Sequence, residues 1–199
     1  MSKACVFFAD GLEECEALIV VDVLRRAGVE VTTASISGSR AVRSTHGVGL
    51  EADALAAELN EADFDLLVLP GGQPGTTHLG ESPVVARMVT AAASQGKKVA
   101  AICAAPTVLA KLGLLNGREA VCYPSCRKNL AGAVQSAQPV VVSGRFITGE
   151  ALGSAIPFAL ELAAQLTGRA NAEAVAKAIC YNWFNPSICI ITWWYGMGI

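Results

Sequence analysis

The chain has 199 residues, 53% hydrophobic and 16% charged, which is enough apolar material for one packed core and too much for a disordered chain. Fifteen basic residues against 17 acidic ones give a formal net charge of -2, and no Lys/Arg run stands out, so no nucleic-acid contact is expected. Seven cysteines, an odd number scattered along the chain, read as reduced thiols of a cytoplasmic protein rather than a disulfide scaffold. The N-terminus (MSKACVFFADGLEE) has too short an apolar run for a signal peptide. No stretch offers the roughly 18 uninterrupted apolar residues of a spanning helix, so no membrane partner is expected.

Short apolar runs alternate with helical patterns. Lys3–Ala9 reads as a first strand closed by Asp10-Gly11, and Glu13–Ala27 as a helix with Gly28 as its C-cap. Val29–Ala34 is strand-like, and Asp65–Leu69 is a continuous apolar run stopped by Pro70-Gly71-Gly72. Pro83–Ala93 is helical; Lys98–Ile102 is a buried strand that leads straight into a helix over Ala104–Leu112. Val140–Ser143 and Phe146–Thr148 flank Gly144-Arg145 as a hairpin, and Ala151–Leu166 and Ala172–Tyr181 close the chain as two helices. Apolar strands separated by helices imply an α/β fold, a mostly parallel sheet with helices on both faces. Residues 1–182 then form a single domain. Segment 183–199, with all three tryptophans and no charged side chain, is an apolar C-terminal tail.

In such sheets ligands bind at the carboxyl ends of strands, which directs attention to Asp10-Gly11, Pro70–Gly72 and Cys103. Cys103 stands where a buried strand turns into a helix with no loop between, in the run Ala100-Ala101-Ile102-Cys103-Ala104-Ala105-Pro106. Such a turn holds its residue under backbone strain above the sheet edge. A helix N-terminus there would favour the thiolate, although core packing is the other common fate of a free cysteine. At about 100° per residue, Glu16 falls on the stripe of Ile19, Val20, Val23 and Ala27 that faces the sheet, whereas Glu14 points to the solvated side. A carboxyl on the buried stripe has a raised pKa and, protonated, can donate a hydrogen bond to a thiolate. The amides of Gly72 and Ala104 are candidates for an oxyanion hole.

Dinucleotide and phosphate-loop glycine motifs are absent. Cys122 and Cys126 share a C-x-x-x-C spacing with no second ligand pair, so no metal is expected.

With Glu16, Gly71-Gly72 and the AICAAP turn in place, residues 3–182 resemble the ThiJ/PfpI superfamily, in its YajL-like and parkinsonism-associated protein deglycase branch. The matching runs are GLEECE, RRAGVEVTTAS, LPGGQPG, VAAICAAP and GSAIPFALE. The resemblance implies a flavodoxin-like three-layer sandwich, usually homodimeric. Cys103 would be the nucleophile, Glu16 its protonated partner, and Gly72 and Ala104 the oxyanion-hole amides. Implied activities are cofactor-free conversion of glyoxals to hydroxy acids, repair of glycated amines and thiols, and oxidative-stress sensing with chaperone behaviour. Many members carry a His-Pro after the strand that follows the cysteine; here the place reads Tyr123-Pro124. Tyrosine, with a reference pKa near 10, is a poor general base at neutrality. His46 lies where relatives carry an arginine and is an auxiliary candidate for carrying a proton. Ala104 stands where protease-like relatives have histidine, so peptidase activity is not expected. The expected enzyme is therefore a weak cysteine-dependent glyoxalase or deglycase, and the alternative is a non-enzymatic sensor and redox-gated chaperone that works through Cys103 oxidation.

Overall fold

Alternation of side chains along the first strand divides the interior into two halves. The computed structural model describes residues 1–182, so the expected tail 183–199 lies outside the described residues. In β1 (Lys3–Phe8), Ala4, Val6 and Phe8 point into one apolar cluster, and Cys5 and Phe7 into another. The chain continues through α1 (Glu14–Arg26), β2 (Glu30–Ser35), the hairpin strands β3 (Ala41–Arg43) and β4 (Gly49–Glu51), β5 (Ala54–Leu55), β6 (Leu66–Leu69), α2 (Gly75–Glu81), α3 (Pro83–Ser94) and β7 (Lys98–Ile102). It then passes through α4 (Pro106–Lys111), β8 (Glu119–Ala120), β9 (Val134–Gln135), β10 (Val140–Ser143), β11 (Phe146–Gly149), α5 (Ala155–Thr167) and α6 (Arg169–Ala178).

Seven strands form one sheet in the order β10-β11-β7-β6-β1-β2-β5, parallel throughout except for β10 against β11. Helices α1, α5 and α6 cover one face, where Val20, Leu24, Phe158, Leu162 and Val175 meet Val6, Val68 and Ile102. Helices α3 and α4 cover the other, where Val85, Met88, Val89 and Leu109 meet Phe7, Leu67 and Val99. This is the α/β sandwich read from the sequence. From β1 the chain first adds β2 on one side and later β6 on the other, so the strand order reverses at β1. The crevice at the carboxyl ends of β1 and β6 is the position where this topology places a ligand.

The differences from the sequence reading are local. The hairpin β3–β4 is too short for periodicity to show; it is held by Gly11 N–H on Arg43 O (2.7 Å) and Thr45 N–H on Leu12 O (2.8 Å). Helix α2 (GTTHLGE) contains two glycines and one buried leucine, so its sequence resembles a loop. Helix α4 begins at Pro106 rather than Ala104, because Cys103 takes a left-handed backbone. A 3-10 turn over Leu152–Ser154 occupies the start assigned to α5, and Gly168 at φ +92 separates α5 from α6. Gly28 does end α1, with φ +79 and its N–H on Arg25 O at 3.0 Å. No helix among the described residues is long and apolar enough to cross a membrane.

Candidate active site

Strand β7 is buried through Ile102, and the next residue, Cys103, has φ +64, a region that non-glycine residues enter at a cost of about 1–3 kcal/mol. Neighbouring backbone holds it there: Cys103 N–H donates to Gly149 O at 3.0 Å, and its own carbonyl accepts from Tyr123 N–H at 2.7 Å. The sulfur is half-buried and receives the amides of Gly72 and Ala104, the pair expected as an oxyanion hole. Helix α4 is six residues long and starts three positions later, so these two amides, rather than a helix dipole, are what favour the thiolate. Burial works against them, followed by the Glu16 charge, and the thiol is pushed up to about 12.

Glu16 is fully buried in the first turn of α1, on the sheet-facing stripe. Its Oε2 accepts from Gly71 N–H at 3.0 Å. Its Oε1 is buried without a hydrogen-bond partner, and the Cys103 thiol lies close enough to the carboxyl to act on its ionisation. Desolvation raises its pKa to about 7, with the Glu13 charge adding to the rise and Cys103 and Gly71 opposing it. Near neutrality the thiol therefore keeps its proton while the carboxyl is partly protonated, and the two groups titrate as a pair.

Glu13, which sequence reasoning passed over, fastens this arrangement. Its side chain accepts from Glu16 N–H at 2.6 Å as the N-cap of α1, and its own N–H donates to Gly71 O at 2.9 Å. The signal was its place three residues before Glu16, at the mouth of the helix. Gly71 separates the two reacting groups: a Cβ there would lie 2.5 Å from Cys103 Cβ, 2.5 Å from Glu16 Oε2 and 3.0 Å from Cys103 Sγ. Gly72, at φ +92, packs so closely that a Cβ would fall 2.2 Å from Glu13 N.

The auxiliary candidates sit farther out. His46 Nδ1 bonds Glu14 Oε1 at 2.9 Å, which turns Glu14 inward instead of toward solvent. Tyr123 serves the site through its backbone N–H, and its ring is 45% exposed. Among the described residues, Glu13, Glu14 and His46 place ligand atoms within 4.8 Å of one another, but Glu13 is engaged as a cap and Glu14 in the His46 pair.

The model of the DJ-1/PfpI family matches residues 2–165. The chain is 41% identical over 187 residues to protein dj-1beta of Drosophila melanogaster, covering 92% of this chain and all of that protein. It is 32% identical over 169 residues to the glutathione-independent glyoxalase DJR-1.2 of Caenorhabditis elegans, covering 84% of this chain and 90% of that one. The solved structure of oxidized Toxoplasma gondii DJ-1 superposes with a TM-score of 0.89 at 36% identity, covering 92% of this chain and all of that one.

Proposed function

The chain belongs to the DJ-1/PfpI family, and from that premise we propose that it is a cytosolic, cofactor-free glyoxalase or deglycase whose nucleophile is Cys103. The observation that carries this reading is the Cys103–Glu16 pair: a thiol near 12 beside a carboxyl near 7, with two backbone amides on the sulfur. Moving the thiol proton to this carboxylate is uphill at neutral pH, so the transfer accompanies attack by the sulfur, with the two amides holding the charge that develops. The sulfur adds to the aldehyde carbon of methylglyoxal; an early glycation adduct first releases its amine or thiol, which regenerates that aldehyde. A C–S bond forms, and the carbonyl electron pair moves to oxygen, which the amides of Gly72 and Ala104 stabilise. A proton then moves from the former aldehyde carbon to the neighbouring carbon through the site carboxyl, leaving a thioester. Water cleaves the C–S bond to release a hydroxy acid and restore the thiol. The six described cysteines are all free, in keeping with a reducing compartment.

The reading includes a homodimer. Leu18, one turn after Glu14, and Val48, two residues after His46, are exposed apolar side chains suited to such a contact.

Conversion of methylglyoxal by the purified chain tests the enzymatic reading, and Cys103→Ser should reduce it to background. A second reading rests on the two amides that meet the sulfur before any substrate is bound. The same donors, with a protonated Glu16, suit a sulfinate at Cys103, which would make the protein an oxidation sensor with chaperone behaviour. Absence of turnover together with peroxide-dependent suppression of client aggregation, lost in Cys103→Ser, would favour that reading.

A further inference from the structure

Beyond Cys103, the structure gathers two more thiols behind the same turn. Cys122 follows β8 and is fully buried; Cys126 lies in the 3-10 turn over Pro124–Asn129 and is half-buried. The Cys122 thiol donates to Tyr123 O at 3.4 Å, and the Cys126 N–H donates to the same oxygen at 2.8 Å. Both side chains pack on the apolar cluster beneath α3 and α4, the face opposite the one that Cys103 contacts. After burial, Cys126 is the first group whose charge acts on the Cys122 thiol, raising it. Between them stands Tyr123, whose N–H holds the Cys103 carbonyl.

We propose that Cys122 and Cys126 form a second thiol site, a dithiol that hydrogen peroxide or an organic hydroperoxide oxidises to a disulfide. Cys126, the accessible member, reacts first. Its thiolate sulfur attacks the peroxide, an S–O bond forms, the O–O bond breaks, and the leaving oxygen departs as water or an alcohol after taking a proton. Cys122 then attacks the sulfenic sulfur; the S–S bond forms, the S–O bond breaks, and hydroxide leaves with the Cys122 proton as water. Two thiols lose two electrons and one peroxide is reduced. Cys122 is fully buried, which keeps peroxide away from it and leaves the adjacent sulfenic acid as its target. A thiol reductant reverses the bond, unlike a sulfinate at Cys103. The 3-10 turn that carries Cys126 is short and lies at the surface, so it can adjust to the Cα separation a disulfide needs, usually 4.4–6.8 Å.

Trypsin provides the test, because cleavage after Arg118 and Arg127 isolates both cysteines in one peptide, residues 119–127. The full-length protein is treated with limiting hydrogen peroxide, alkylated with N-ethylmaleimide and digested. The expected peptide carries no alkyl group, weighs two hydrogens less than the dithiol, and takes up two alkyl groups after dithiothreitol. In Cys126→Ala, Cys122 should remain alkylatable after the same treatment. In Cys122→Ala, Cys126 should stop at sulfenic acid under limiting peroxide and proceed to sulfinate when a further equivalent is added. A wild-type peptide that stays doubly alkylated at a dose that oxidises Cys103 overturns the proposal. So does a disulfide from Cys126 to any cysteine other than Cys122. None of these readouts depends on turnover, so failure of the enzymatic reading leaves the test intact.

Discussion

Replacing Gly71 by alanine should disable the site while leaving the fold in place. The φ of Gly71 is not in the left-handed region, so the backbone accepts alanine and only space opposes it. The added methyl would stand 2.5 Å from Cys103 Cβ and 2.5 Å from Glu16 Oε2, about 1 Å inside the separation at which carbon atoms attract. Cys103 is fixed by backbone bonds on both sides, so the carboxyl has to yield and the Gly71–Glu16 hydrogen bond breaks. Overpacking costs about 1–3 kcal/mol, and a buried carboxyl deprived of its donor costs about 1–3 kcal/mol more. A loss of about 2–6 kcal/mol leaves most domains of this size folded. Urea denaturation should show that loss, and methylglyoxal conversion should fall at least about 10²-fold, the usual share of a positioned proton carrier. Gly80→Ala is the matched control. It sits inside α2 with 3.5 Å to Val108 Cγ2, an ordinary contact, and should gain up to about 1 kcal/mol. If Gly71→Ala lies within about 0.5 kcal/mol of wild type, the range of a neutral surface change, and keeps its turnover, then the account of this wall is wrong.

Three other outcomes follow from the same geometry. Folded Glu16 titrates near 7 against an ordinary 4.5, so its contribution to stability is complete below about 4.5 and is lost as pH rises to 7, by about 3 kcal/mol. Denaturation at pH 5 and pH 7 should show about 2 kcal/mol of that decline in wild type and not in Glu16→Gln; parallel behaviour refutes the raised pKa. Tyr123→His should raise methylglyoxal turnover at least about tenfold, since a placed general base contributes about 10²–10⁴-fold, and an unchanged rate in a folded variant would mean that this position does not reach the substrate. Truncation after Asn182 should leave turnover within a few-fold, because every site residue named here lies between Glu13 and Gly149; its abolition in a folded variant would assign the tail to the site.

The sheet was legible because β1, β6 and β7 are unbroken apolar runs, and a strand buried on both faces leaves that mark. Cys103 was legible because a strand that meets a helix with no loop leaves few alternatives for the junction. Glu16 emerged from helical phase alone, and its full burial agrees with it. Phase failed for Glu14: a helical wheel knows nothing of the β3–β4 hairpin, whose His46 folds over that side of α1. Glu13 was hidden for a similar reason, since a capping carboxylate and a solvated one look alike until the loop after β6 arrives to receive its amide. The direction of the thiol's shift also depended on tertiary contact, because burial of the sulfur sets it and the buried carboxylate beside it adds to it.

Gly11, Gly72 and Gly75 form a seam in which the loop after β1 and the loop after β6 meet main chain to main chain, with no room for a Cβ at any of the three. Such a seam constrains which changes a lineage or an engineer can make. The floor of the site can hardly be varied one residue at a time, because each single substitution there meets backbone that cannot retreat. Side chains at the rim are under no such restriction: Tyr123 and His46 are exposed and arrive on separate segments. On the proposed reading, selectivity for one aldehyde or adduct over another is therefore open to revision at these exposed positions, while the chemistry of the sulfur stays constant.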